Sequence, residues 1–272
     1  MKKLSKEVRA AAYQMEIADE ADVEKHTQLI VDGIKKASEN KADIICFPET
    51  CLYSVLEVKP PTEKKLEPYF KRIFDACAKY KIWALVTSYV TENSKMYNRN
   101  YLINRKGKVI YKYDKVFLWP SERKYVTPGK SNRVIKTELG NLATITCYDT
   151  FFPEYSKKLA KEGAQIFLVP TYLVESTAPK ARQTVRMHGS LGLIRAYETG
   201  TFWVKADPLH PRTIGHSSIC GPSVILAEAI PGKSEILYAD LIWEHVEEFR
   251  KYMNFNEKQN FFSRKLPKIY KP

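Results

Sequence analysis

Three short stretches each place a reactive side chain just past an apolar run: CFPET with Glu49, YKYDKVFLWPSE with Lys115 and Glu122, and TCYD with Cys147. Sheet enzymes keep their reacting groups beyond strand ends, so the shared placement points to one site. A cysteine attacks as its thiolate, and at its free pKa it is mostly protonated near neutrality. It therefore needs a base or a cation beside it. Attack on an amide or nitrile carbon also leaves negative charge on the oxygen or nitrogen, which must be stabilised. Glu49 would supply the base and Lys115 the cation. A Cys–His pair is the commoner device. Of the five histidines only His188 and His216 are candidates, and both lie far along the chain in helical or turn contexts.

Taken singly, each residue has a plainer role. Cysteine is usually a small buried hydrophobe. Lys115 reads equally as a surface lysine at a strand end, and Glu49 as a helix cap or lysine partner. Cys46, Cys77 and Cys220 fall on apolar faces, while Cys51, close to Glu49, is the rival nucleophile. Tyr53, Trp119, Phe151 and Tyr172 are candidates to line a largely apolar pocket, but aromatics of this size also pack cores.

The elements that must position these groups alternate between apolar runs and helical stripes. Strands are expected at Val8–Met15, Asp43–Phe47, Ile82–Val90, Tyr97–Ile103, Val109–Tyr113, Val134–Thr137, Leu142–Thr146, Gln165–Val169, Phe202–Ala206, Ser217–Ile219, Val224–Ala229 and Ile236–Leu241. Helices are expected at Val23–Ser38, Leu66–Tyr80, Pro153–Glu162 and Val185–Glu198, the third opened by proline and closed by Gly163. Several strands follow one another through tight turns, one of them carrying Gly107. Interleaved helices and consecutive strands predict mixed sheets covered by helices in layers. No linker divides the chain, so residues 1–272 read as one domain, with 256–272 an extended C-terminal arm.

Composition narrows the function class. The 272 residues are 44% hydrophobic and 28% charged, which suits a globular chain with a substantial core. No apolar run is long enough to cross a membrane, and the N-terminus lacks the apolar stretch of a signal peptide, so a cytoplasmic location is expected. Five irregularly spaced cysteines form neither a disulfide framework nor a zinc signature. The net charge of +13 comes from lysines interleaved with glutamates on helix faces, so no nucleic-acid partner is expected.

The same stretches resemble the nitrilase superfamily of carbon–nitrogen hydrolases over nearly the whole chain. AAAYQM resembles the opening strand, ADIICFPETCLY the glutamate segment, YDKVFLWPSERKYVTPG the lysine segment and ITCYDTFFPE the cysteine elbow. GAQIFLVPTY, RAYETGTFWV and GHSSICGPSVILAEA follow in the family's order. The resemblance implies an α/β fold, a four-layer α-β-β-α sandwich with two mixed sheets. It assigns Glu49, Lys115 and Cys147 as the catalytic triad, Glu122 as a supporting glutamate, and a backbone N–H near Tyr148 to the oxyanion. It implies no metal or organic cofactor, a small-molecule substrate, and a homodimer or higher homo-oligomer packed through Pro153–Glu162 and Val185–Glu198. The implied reaction is hydrolysis of a small linear amide or N-carbamoyl compound through a cysteine acyl-thioester, with release of ammonia. A true nitrilase and a non-catalytic binding protein on the same fold are the alternatives. Tyr148 after the cysteine is similar to the amidase and carbamoylase branches, whereas the nitrile-hydrolysing branch tends to carry Trp-Glu there. The lipoprotein acyltransferase and NAD synthetase branches are disfavoured, since no membrane span and no synthetase domain is seen. The chain departs from the family at Phe151, often arginine, at Val224, often glycine, and at Thr199, often asparagine.

Overall fold

The computed structural model describes residues 7–17, 21–174, 181–213 and 215–253. Two six-stranded mixed sheets lie face to face, each covered outside by helices. The first contains β1 (Val8–Gln14), β2 (Ile44–Cys46), β3 (Trp83–Glu92), β4 (Lys95–Ile103), β5 (Val109–Asp114) and β12 (Glu235–Leu241), in the order β12-β1-β2-β3-β4-β5. The second contains β6 (Ile135–Thr137), β7 (Gly140–Thr144), β8 (Ile166–Pro170), β9 (Phe202–Ala206), β10 (Ser218–Gly221) and β11 (Val224–Glu228), in the order β11-β10-β9-β8-β7-β6. The helices are α1 (Val23–Glu39), α2 (Glu63–Tyr80), α3 (Pro153–Lys161), α4 (Ala181–Thr199) and α5 (Trp243–Tyr252).

Side-chain alternation along the strands builds the layers. Ala10 and Ala12 on β1, Leu85 on β3 and Leu102 on β4 meet Leu142, Leu168 and Val204 between the sheets. The opposite faces look outward. Ala11, Ile45 and Val86 pack against Ile30 and Ile34 of α1 and Phe70 and Ile73 of α2. Ile145, Phe167 and Trp203 pack against Leu159 of α3 and Ala196 of α4. This is the four-layer α-β-β-α arrangement.

Most expected elements are present with small boundary changes. Helix α2 starts three residues before the expected Leu66, because Thr62 caps it by accepting from Lys65 N–H and the helix tolerates Pro68 in its second turn. Helix α5 was not anticipated, since WEHVEEFRKY is polar and offers only Trp243 and Val246 to the core. The expected C-terminal arm, 256–272, lies outside the described residues. No helix among the described residues is long and apolar enough to cross a membrane.

Strand direction decides where chemistry can occur. β1, β2 and β3 run parallel, as do β7, β8 and β9. β5 returns through the antiparallel β3-β4 and β4-β5 pairs to run with β3. The segments carrying Glu49, Lys115 and Cys147 leave the C-terminal ends of β2, β5 and β7.

Candidate active site

Glu49 follows β2, and its N–H donates to the Thr171 carbonyl at 3.1 Å. Lys115 directly follows β5. Its N–H donates to the Asn98 carbonyl at 2.9 Å, and its carbonyl accepts from Gly129 N–H at 2.8 Å. Gly129 has to be glycine there, because a Cβ would run into the Asp114 carbonyl. Cys147 begins a short 3-10 helix, Cys147–Phe151, at φ +42°. A left-handed backbone on a residue with a side chain costs about 1–3 kcal/mol and persists only where its surroundings hold it. Asp149 supplies that hold. Its Oδ2 accepts from Thr146 N–H at 2.8 Å and from the Tyr113 hydroxyl at 2.6 Å. Its Oδ1 accepts from Phe117 N–H at 2.8 Å, which ties the cysteine elbow to the lysine segment.

The side chains converge on a cavity of about 240 Å³. Lys115 Nζ donates to Glu49 Oε1 at 2.8 Å and to Glu122 Oε2 at 2.6 Å. Lys115, Glu122, Glu49 and Cys147 are all buried, yet each borders the cavity. Asn98 Nδ2 donates to Glu49 Oε1 at 2.7 Å and to Glu122 Oε1 at 2.9 Å. Glu122 also accepts from the Tyr89 hydroxyl at 3.1 Å and from Trp119 N–H at 2.8 Å. The Cys147 thiol lies 3.9 Å from the Tyr172 carbonyl, which it can donate to.

The two carboxylates are driven apart. Burial raises Glu49, and the adjacent charge of Glu122 adds to it, leaving Glu49 above the ordinary carboxylate range despite Lys115. Burial also pushes against Glu122, but Lys115, Asn98 and the Trp119 amide outweigh it and hold Glu122 below that range. Burial would discharge Lys115, yet Glu49 and Glu122 together keep its ammonium charged. The Cys147 thiol is raised well above its ordinary value by burial and then by Glu49, so it rests protonated. The buried pair is thus split, Glu49 being the carboxyl that more readily holds a proton and Glu122 the one held as an anion.

The remaining expected residues divide. Trp119, Phe151 and Tyr172 border the cavity. Tyr53 does not; it is buried among Tyr89, Met96, Leu118 and Val126, so this expectation is corrected to a packing role. The Tyr148 ring turns to a second hollow beside Phe117 and Phe152, which leaves only its backbone for the site. The rival Cys51 is held beside Thr87 and is pushed up to about 12 by burial. His216 is buried near Asp207, and the His188 side chain lies outside the described residues.

Sequence reasoning missed Asn98 and Tyr89. They face each other across the β3-β4 pair, where Asn98 ties Glu49 to Glu122 and Tyr89 holds Glu122. A faint signal existed. In YNRNYLI, Asn98 and Asn100 alternate about Arg99 within an otherwise apolar strand. Asn100 bridges the sheets by donating to Thr144 Oγ1 at 2.7 Å and accepting from Thr146 Oγ1 at 3.1 Å.

Cys147, Glu49 and Lys115 thus lie buried together at the strand ends of this four-layer sandwich. The carbon–nitrogen hydrolase family profile matches residues 9–251, and the chain belongs to that family. It is an amidase-like enzyme of the nitrilase superfamily. The omega-amidase NIT3 of Saccharomyces cerevisiae is 27% identical, with 95% of each chain covered. The probable hydrolase YhcX of Bacillus subtilis is 31% identical over 175 residues, which span 60% of this chain and 34% of that protein. Among solved structures, a carbon–nitrogen hydrolase from Helicobacter pylori G27 superposes with a TM-score of 0.83 at 18% identity, covering 94% of this chain and 97% of that one.

Proposed function

We propose that the protein hydrolyses a small linear amide or N-carbamoyl compound through a Cys147 acyl-thioester. The observation that carries this reading is Lys115 held at 2.8 Å from Glu49 and 2.6 Å from Glu122 beside a buried thiol on one cavity. Glu49 takes the Cys147 proton as the sulfur bonds to the carbonyl carbon. The developing oxyanion is met by the Lys115 ammonium and the Tyr148 N–H, which lies in the first turn of the 3-10 helix, where amides lack helical acceptors. Glu49 then passes the proton to the departing nitrogen, and ammonia leaves as the C–N bond breaks. Water, deprotonated by Glu49, adds to the thioester, and the carboxylic acid leaves with the proton returned to sulfur. No metal or organic cofactor enters any step.

Trp119, Phe151, Tyr172, Leu56 and Val174 line the cavity alongside the polar Ser54, Glu57, Ser121 and Arg212, so its wall offers apolar surface to an acyl chain. The five cysteines are free thiols, which fits a cytoplasmic enzyme.

The test is ammonia release from a panel of aliphatic and aromatic amides, carbamoyl compounds and matching nitriles, wild type against Cys147→Ala. Release from amides by wild type alone is expected. Equal release by both proteins would refute the nucleophile, and turnover confined to nitriles would reassign the substrate class.

A further inference from the structure

Asp207 lies one residue past β9 and is fully buried, yet no step of the chemistry above uses it. Its Oδ1 accepts two hydrogen bonds from one short segment, from Thr171 Oγ1 and from Leu173 N–H, each at 2.9 Å. Asp207 is itself anchored. Ser217 Oγ accepts from Asp207 N–H at 2.9 Å and donates to the Asp207 carbonyl at 3.1 Å. Ser217 N–H donates to the buried Gln14 Oε1 at 3.1 Å, and Gln14 Nε2 reaches the Ile230 and Lys233 carbonyls. The Asp207 backbone is therefore fixed, through Ser217 and Gln14, to β1 and to the turn after β11.

The segment it grips touches the reacting groups on two sides. The Thr171 carbonyl accepts Glu49 N–H, and the Tyr172 carbonyl faces the Cys147 thiol. Tyr172 and Leu173 also border the cavity. One carboxylate oxygen thus braces the backbone beside the base and the acceptor beside the nucleophile.

We infer that Asp207 is a positioning residue of the reaction, setting Glu49 against Cys147 through Thr171 and Leu173. The inference rests on the cysteine reading above. Side chains of a reacting set need placement to within a fraction of an ångström. A displacement near 1 Å can lower the rate roughly 10²-fold.

The experiment compares Asp207→Ala, Asp207→Asn and Thr171→Val in the full chain. Circular dichroism establishes folding, peptide mass spectrometry follows iodoacetamide alkylation of Cys147, and kcat and KM are taken per alkylatable site. Asp207→Ala should lower kcat roughly 10–100-fold, with a far smaller change in KM and a matching change in alkylation rate. Asp207→Asn keeps the accepting oxygen and should restore both readings most of the way. Thr171→Val removes the hydroxyl that reaches Asp207 and the Ala206 carbonyl but keeps the Leu173 bond, and should fall between; it carries the test if Asp207→Ala does not fold. Wild-type kcat and alkylation in a folded Asp207→Ala or Thr171→Val protein, whatever the Tm, would overturn the inference. So would an Asp207→Asn protein as impaired as Asp207→Ala. Cys147→Ala separates the two readings: turnover that survives it refutes the nucleophile, while the alkylation rates still report on Asp207.

Discussion

Cys147 is activated by a carboxylate rather than an imidazole in this reading, and the pH dependence should carry that signature. Glu49 must be ionised to take the thiol proton, so kcat/KM should rise with pH through a Glu49 value lying above the ordinary carboxylate range. Glu122 contributes to that elevation by its charge and also competes for Lys115. Glu122→Gln removes one negative charge and frees the ammonium for Glu49, and both changes favour the Glu49 carboxylate. The acid limb of the kcat/KM profile should therefore move to lower pH, alongside a reduced maximum rate. An upward shift would mean that Glu49 is not the group titrating. That Glu49, Lys115 and Cys147 gather at one cavity was legible in the sequence because each sits in a distinctive segment. Asn98 and Tyr89 were not, because a strand residue that buries its polar end against a distant carboxylate looks locally like any other. Tyr53 went the other way. Its proximity to Glu49 along the chain says nothing about which face of the loop it occupies.

At the scale of elements, the outward face of β4 is tied to its neighbours by Arg99. The guanidinium meets Asp114 on β5 at 2.6 Å, Glu63 at the start of α2 at 2.7 Å and Glu92 at the end of β3 at 2.9 Å. Glu63 further accepts from Lys112 and from the Tyr101 hydroxyl. Burial raises Glu63, but the hydrogen bonds from Lys112, Tyr101 and Arg99 outweigh it and hold the group at about 2. A carboxyl depressed in the folded state stabilises the fold fully above its unfolded pKa and loses that contribution as pH falls toward the folded value. The window here runs from about pH 4.5 down to about pH 2. Glu63→Gln should lower Tm at neutral pH and flatten the decline of Tm across that window, as measured by thermal melts at a series of pH values. A mutant whose Tm falls with acid as steeply as wild type would refute the linkage. This brace also serves the site, since the opposite face of the same strand presents Asn98 to both carboxylates.

At the scale of the whole molecule, α4 leaves apolar side chains in solvent. Met187 is 48%, Ile194 47% and Tyr197 42% exposed on a helix whose Leu191 and Ala196 are buried. Contiguous exposed apolar groups of this kind mark contact surfaces, and the proposed homodimer would bury them against a second copy. Size-exclusion chromatography with light scattering should find a dimer for wild type and a monomer for Ile194→Glu. A wild-type monomer, or an Ile194→Glu dimer, would refute that interface. By itself the sequence determined the layers and pointed to Glu49, Lys115 and Cys147, because side-chain periodicity is local and each of the three lies within a few positions of a strand end. Tertiary structure alone decided how closely those residues meet at one cavity, which carboxyl is raised and which is held low, and which aromatics border the cavity. Those outcomes depend on burial and on distances between segments that only the packed sheets bring together: Lys115 meets Glu49 across 66 residues and Asn98 meets it across 49.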